Sequence, residues 1–214
     1  MSRKVTIVDY GIGNLYSVTR AFEASGAAVR LTANHEYIED AESVVLPGVG
    51  AFEDGMKGLT RRAQAEPIKS FIASGRPFLG ICVGMQLLLE VGEEFGEHAG
   101  LGIIPGRVQA IPNTGADGQP HRIPHIGWNA LLPPARGSDW SRGLLRGLPD
   151  KPAVYFVHSF APVPGDDKYR LADCAYDGRV ISAVIQSGNA YGCQFHPEKS
   201  GPIGLKIVDN FLKL

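Results

Sequence analysis

Cys82 stands at the centre of Gly80-Ile81-Cys82-Val83-Gly84, after an apolar run (Pro77–Ile81) and before a segment of helical character, Met85–Glu90. That setting suits a thiol nucleophile carried on a sharp strand-to-helix turn. Residues two before and two after such a nucleophile lie where strand and helix crowd together, so glycine at both has a steric reason. A helix that follows would aim its N-terminal dipole at the sulfur and favour thiolate. A lone cysteine is more often a small buried hydrophobe, so the chemistry needs partners.

Tyr191-Gly192-Cys193-Gln194-Phe195-His196-Pro197-Glu198 supplies them. The run reads as a strand, and Pro197 disfavours the helical region for His196, which should be extended. Residues i and i+2 of an extended chain share a face, which predicts Glu198 beside His196. Glu198 would accept the imidazole Nδ1–H and leave Nε2 for the thiol. Of six histidines, only His196 has a carboxylate two residues away. His35, His98 and His121 have polar neighbours, while His125 and His158 are flanked by apolar residues and suit a core. Cys193, an odd spacing from His196, is expected on the opposite face as a packed small hydrophobe.

Pro47-Gly48-Val49-Gly50 is a glycine-rich turn after a strand, able to aim backbone N–H groups at a developing oxyanion. Gly11-x-Gly13 has the start of a dinucleotide-binding loop, but Tyr16 stands where the third glycine belongs and no acidic residue follows a second strand. That reading fails.

The elements that must hold these residues alternate in the first half. Strands are expected at Lys4–Asp9, Val29–Leu31, Ser43–Leu46 and Pro77–Ile81, with a helix carrying Leu15, Val18 and Phe22 on one face. Such alternation predicts an α/β fold with a largely parallel central sheet and helices on both faces. In the second half, Arg107–Ile111, Ala153–Phe160, Tyr169–Ala175 and Val180–Gln186 are separated by turn signals and predict added antiparallel strands. Residues 112–120 and 133–142 read as surface loops. Pro202–Leu214 has helical spacing at Ile203, Ile207, Val208 and Phe211. One domain spanning residues 1–214 is expected, with no internal repeat or linker.

Composition narrows the function classes. Lys plus Arg number 21 and Asp plus Glu 22, for a net charge of −1, and no basic stripe suits a nucleic acid. The N-terminal run reaches Asp9 and glycines too soon for a signal peptide, and no stretch reaches the ~20 apolar residues of a membrane helix, so a cytosolic protein is expected. Three widely spaced cysteines without CxxC or HExxH spacing give no disulfide framework and no metal site; none is expected.

Gly80–Gln86 with Phe195-His196-Pro197-Glu198 resembles the class I (triad) glutamine amidotransferases. More narrowly, Asp9–Leu15, Leu46–Phe52, Pro124-His125-Ile126-Gly127-Trp128-Asn129 and Tyr155–Phe160 resemble the glutaminase subunits of imidazole glycerol phosphate synthases, from first strand to last helix. The resemblance implies hydrolysis of glutamine through a Cys82 thioester, with His196 and Glu198 completing a triad and no cofactor. It places the oxyanion hole at backbone N–H groups of Val49, Gly50 and Val83, and glutamine against Gln86, Glu94, Ser159 and Phe160. Ammonia would pass to a (β/α)₈-barrel cyclase in a heterodimer, making imidazole glycerol phosphate and an aminoimidazole carboxamide ribotide in histidine biosynthesis. Asn14, Trp128 and Lys199 would face that partner. The chain departs from the family pattern at Phe160, where tyrosine is usual, and at Cys193, where a valine-like residue is usual.

Overall fold

The computed structural model describes residues 3–214. In the first half, β1 (Lys4–Val8), α1 (Leu15–Ala24), β2 (Ala28–Thr32), α2 (Glu36–Glu39), β3 (Val44–Gly48), α3 (Phe52–Arg61), α4 (Ala65–Ala73), β4 (Phe78–Cys82) and α5 (Val83–Gln86) follow one another. The second half holds β5 (Leu89–Gly92), β6 (His98–Ala99), β7 (Ile104–Ala110), β8 (His125–Ala130), β9 (Ala153–His158), β10 (Phe160–Pro164), β11 (Arg170–Tyr176), β12 (Arg179–Ser187), β13 (Ala190–Cys193) and α6 (Gly201–Phe211).

The central sheet has seven strands in the order β11-β12-β13-β4-β3-β1-β2. The five from β13 to β2 run parallel, and β11 and β12 are antiparallel additions at one edge. β3 and β4 are buried along their whole length, as a parallel sheet covered on both faces requires. The helices cover it in two groups, α1 with α6 and α2 and α3 with α4. A four-stranded sheet (β10-β7-β5-β6) and the β8–β9 pair complete the α/β fold. No helix among the described residues is long and apolar enough to cross a membrane.

Two expectations need correction. The helix after Cys82 is a single turn, Val83–Gln86, and not a segment reaching Glu90; Leu89–Gly92 is strand β5. Leu87, Leu88 and Leu89 are all fully buried, so the run has no solvent face from which a helical period could be read. The apolar run from Ala153 to Phe160 is two strands, broken at Ser159, so that β9 pairs with β8 and β10 with β7.

Candidate active site

Cys82 ends β4 with φ of 55°, in the left-handed region where a side chain is strained. The crowding expected at the flanking glycines is present. A Cβ on Gly80 would lie 2.4 Å from the Gly84 carbonyl oxygen, and one on Gly84 would lie 1.8 Å from that of Leu46. With α5 only four residues long, its contribution at the sulfur is the unpaired N–H groups of one turn, Val83 first, and little macrodipole.

His196 is extended (φ −101°, ψ 98°), as Pro197 dictates. Glu198 reaches it differently from the alternation argument, because Pro197–Lys199 is a 3₁₀ turn that folds the carboxylate back. His196 Nδ1 lies 2.8 Å from Glu198 Oε1, and both side chains are buried. Ser200 Oγ donates to the His196 carbonyl at 2.7 Å and fixes the turn. Burial opposes charge on His196, but the hydrogen bonds to Cys82 and then Glu198, with the attraction of both, outweigh it and push the pKa up to about 9. The balance favours the imidazolium form. Among the described residues its Nε2 makes no hydrogen bond of normal geometry, although Cys82 is near enough to affect its titration. Catalytic hydrogen bonds of this kind are often long before substrate binds.

The sulfur opens on a cavity of about 270 Å³ lined by Val49, Gly50, Cys82, Val83, Gln86, Glu94, Ser159, Phe160 and His196, with Pro124, Val157 and His158 completing the wall. The size suits a single amino acid. A larger cleft of about 440 Å³ beside β10 and β12 has no cysteine or histidine in its walls, so size alone does not locate the chemistry. Glu94 is anchored by the Phe52 N–H, which donates to Oε2 at 2.9 Å. Gln86 Nε2 donates to the Phe160 carbonyl and to Gln194 Oε1, each at 3.0 Å. The two glycines of the Val49 turn differ in role. A Cβ on Gly48 would lie 2.5 Å from Tyr10 Oη, whereas Gly50 has φ of 86° and open space around it. The Tyr10 hydroxyl, buried beneath this turn, has no hydrogen-bond partner among the described residues; burial and then the charge of Cys82 push its ionisation up.

Asn14, Trp128 and Lys199 lie outside this cavity. The Asn14 side chain caps α1, accepting from the Ser17 N–H at 3.3 Å, and α1 packs against the 3₁₀ turn that carries exposed Lys199. Trp128 is 59% exposed and stands edge-on to Tyr155. Ile126, two residues before it on β8, is likewise exposed.

Sequence reasoning left His125 and His158 as core residues and missed that His158 reaches the cavity wall, with His125 bonded to it from outside the cavity. His158 Nδ1 donates to the Phe160 carbonyl at 2.8 Å, so its Nε2 must accept, and His125 Nδ1–H donates to it at 3.0 Å. Burial is the first cause that lowers both values, to about 4 for His125 and about 3 for His158, so each is neutral. Both folded values lie below the ordinary 6.5. The stabilisation is therefore complete above that value and is lost as pH falls toward the folded ones. At pH 5 the pair should cost roughly 4 kcal/mol, at about 1.4 kcal/mol per unit for two groups. Urea unfolding at pH 7 and pH 5 checks this, with His125→Gln losing markedly less stability than wild type; equal losses would exclude the pair as the cause.

Cys193 is buried in β13, paired with Ile81 and Val184, and burial followed by the charge of Glu198 pushes its thiol up. All three cysteines are free. Cys193→Val should leave glutaminase turnover within about threefold of wild type, or below ~0.7 kcal/mol. A Cys82–Cys193 disulfide in mildly oxidised protein would contradict that. Among the described residues, no group of three or more His, Cys, Asp or Glu could hold a metal ion.

Comparisons with known proteins bear on the family and the fold. The family model for glutamine amidotransferase class-I matches residues 6–214. A Legionella pneumophila (strain Lens) protein, imidazole glycerol phosphate synthase subunit HisH 1, is 57% identical over 210 residues, covering 98% of this chain and 99% of that relative. The HisH subunit of Geobacillus kaustophilus is 44% identical, covering 97% and 95%. Among solved structures, PurLQS from Thermotoga maritima matches with a TM-score of 0.72 at 20% identity, covering 100% of this chain and 98% of that one. A putative GMP synthase protein from Thermoplasma acidophilum matches with a TM-score of 0.67 at 19% identity, covering 100% and 94%. At that identity the two structures speak for the fold alone.

Proposed function

The chain belongs to the class I glutamine amidotransferases, and on that premise we propose that it is the glutaminase subunit of an imidazole glycerol phosphate synthase. The observation that carries the reading is Cys82 at a strained turn, facing an amino-acid-sized cavity beside the His196–Glu198 pair. The relatives that share its length are named as that subunit, which supports histidine biosynthesis as the pathway.

The Cys82 thiolate attacks the side-chain carbonyl carbon of glutamine, forming the C–S bond and a tetrahedral oxyanion. Backbone N–H groups of Val83 and of the Val49–Gly50 turn receive that charge. The C–N bond then breaks, and the His196 imidazolium gives its proton to the departing ammonia. Water attacks the thioester, His196 takes its proton back, and glutamate leaves with the thiolate restored. Glu198 holds the imidazole tautomer throughout. Gln86 has its Nε2 committed twice, so only its Oε1 is left for substrate; beside the Glu94 carboxylate, this end of the cavity suits an α-ammonium group. Ser159 and Phe160 complete the wall, Phe160 through its backbone and ring.

Ammonia released into neutral water becomes ammonium, which has no lone pair for attack, so the product must leave by a sheltered path into a partner. A (β/α)₈-barrel cyclase in a heterodimer, making imidazole glycerol phosphate and the aminoimidazole carboxamide ribotide, is that partner in this reading. Exposed Trp128 and Lys199, with Asn14, are its docking residues. The test is glutamate release by the chain alone, with the cyclase, and with the cyclase plus its ribotide ligand. Turnover should rise by about 10²–10³-fold across the series, the effect of aligning one oxyanion donor. A fast rate in the isolated chain, unchanged by either addition, would instead mark a stand-alone hydrolase.

A further inference from the structure

Gln194 has no part in the chemistry described above, yet its side chain is fully buried against the nucleophile. Its backbone N–H donates to the Ala183 carbonyl at 2.9 Å, continuing the β12–β13 pairing toward His196. The orientation of its amide is dictated by its neighbours. Gln86 Nε2 donates to a backbone carbonyl, which can only accept, so the group facing Gln194 is also a donor and Gln194 must answer with Oε1. Gln194 Nε2 is thereby turned to the Cys82 sulfur, at 3.7 Å. Among the described residues, the sulfur is the only acceptor this buried N–H₂ group has.

We propose that Gln194 is a positioning residue for the nucleophile: its amide, locked by Gln86, donates to the Cys82 sulfur and holds it as thiolate on the cavity side. A neutral thiol is a weak acceptor, whereas a thiolate makes a charge-assisted hydrogen bond. A buried donor whose only outlet is the sulfur therefore favours the charged form, because the alternative leaves the donor unsatisfied. The contact also sets direction. With His196 on one side and Gln194 on another, the sulfur has two fixed neighbours and one open side, the cavity. The inference deepens the glutaminase reading and rests on it for the kinetic consequence alone; the thiolate itself can be followed without glutamine.

The decisive variant is Gln194→Met, of similar volume with neither a donor nor a charge. Gln194→Glu, which keeps length and an acceptor for Gln86 but replaces the amide donor with a group that can also repel thiolate, is the second. Iodoacetamide modification of Cys82 is followed by peptide mass spectrometry across pH 5–10, with thermal unfolding of each sample alongside. The midpoint of the alkylation profile should rise by roughly one to two pH units in both variants, the range expected for losing a charge-assisted hydrogen bond. In the complex with the cyclase, kcat should fall about 10–100-fold while KM for glutamine stays within about threefold. Unchanged alkylation midpoints in a folded variant overturn the proposal, and so does a loss confined to KM. A shifted midpoint in a protein that hydrolyses no glutamine with any partner would leave the positioning role standing and sink the glutaminase reading instead. Should Gln194→Met fail to fold, Gln194→Asn shortens the donor by one methylene and the same midpoint decides.

Discussion

Cys82→Ala is expected to abolish glutamine-dependent product formation, by more than about 10⁴-fold, while synthesis from added ammonia continues at the rate of the wild-type complex. The substitution removes the atom that forms the covalent bond, and neither His196 nor Glu198 can replace it. The fold should survive. The thiol is buried in a tight turn, alanine is smaller, and the strain at φ of 55° is held by neighbours that do not change. Thermal unfolding, glutamate release and ammonia-dependent synthesis, measured on one preparation, separate the three statements. Substantial glutamine-dependent turnover in the variant would remove Cys82 from the chemistry. Loss of the ammonia-dependent rate would mean the variant had damaged the partner or its docking.

Gly84→Ala should be the most damaging single methyl in the molecule's first half. Its Cβ would sit 1.8 Å from the Leu46 carbonyl oxygen, inside the sheet pair β3–β4. No side chain rotation relieves that contact, because both partners are backbone, so β3 must move away from the turn. A loss above about 4 kcal/mol is expected, or a fall in Tm of roughly 10–15 °C for a chain of this size. A Tm within about 3 °C of wild type would mean that α5 can lift off β3 freely and that the crowding at Gly84 restrains nothing.

The sequence marks the candidate site more sharply than the elements beneath it. Strand–helix alternation and the turn around Cys82 can be read because glycines, β-branched runs and a sharp polar boundary mark them. The extent of α5 cannot, since Leu87–Leu89 are buried on every side and carry no period. Strand alternation pairs Glu198 with His196, but the structure uses a 3₁₀ turn to the same end. Carried backward from His196, the same alternation points to Gln194 on the shared face. His158 reads as a core histidine, and its place on the cavity wall follows from the break between β9 and β10 at Ser159. That break is a property of two different pairing partners, invisible in a single apolar run. Gly48 and Gly50 look equivalent in sequence; only the Tyr10 hydroxyl beneath one of them shows that Gly48 serves close packing and Gly50 conformation.

β4 and β13 lie side by side in register, Phe78 against Ala190 and Ile81 against Cys193, although more than a hundred residues of chain separate them. During synthesis the thiol leaves the ribosome long before the imidazole that governs it. A nascent chain that has made only the first four strands carries a cysteine with no base, no carboxylate and an unpaired β4 edge. In the proposed chemistry the nucleophile is armed by the closing of the sheet, once its last strand slots in beside the fourth. A chain ended anywhere before His196 lacks the imidazole beside Cys82, so the two groups meet only in a molecule whose last strand has been made.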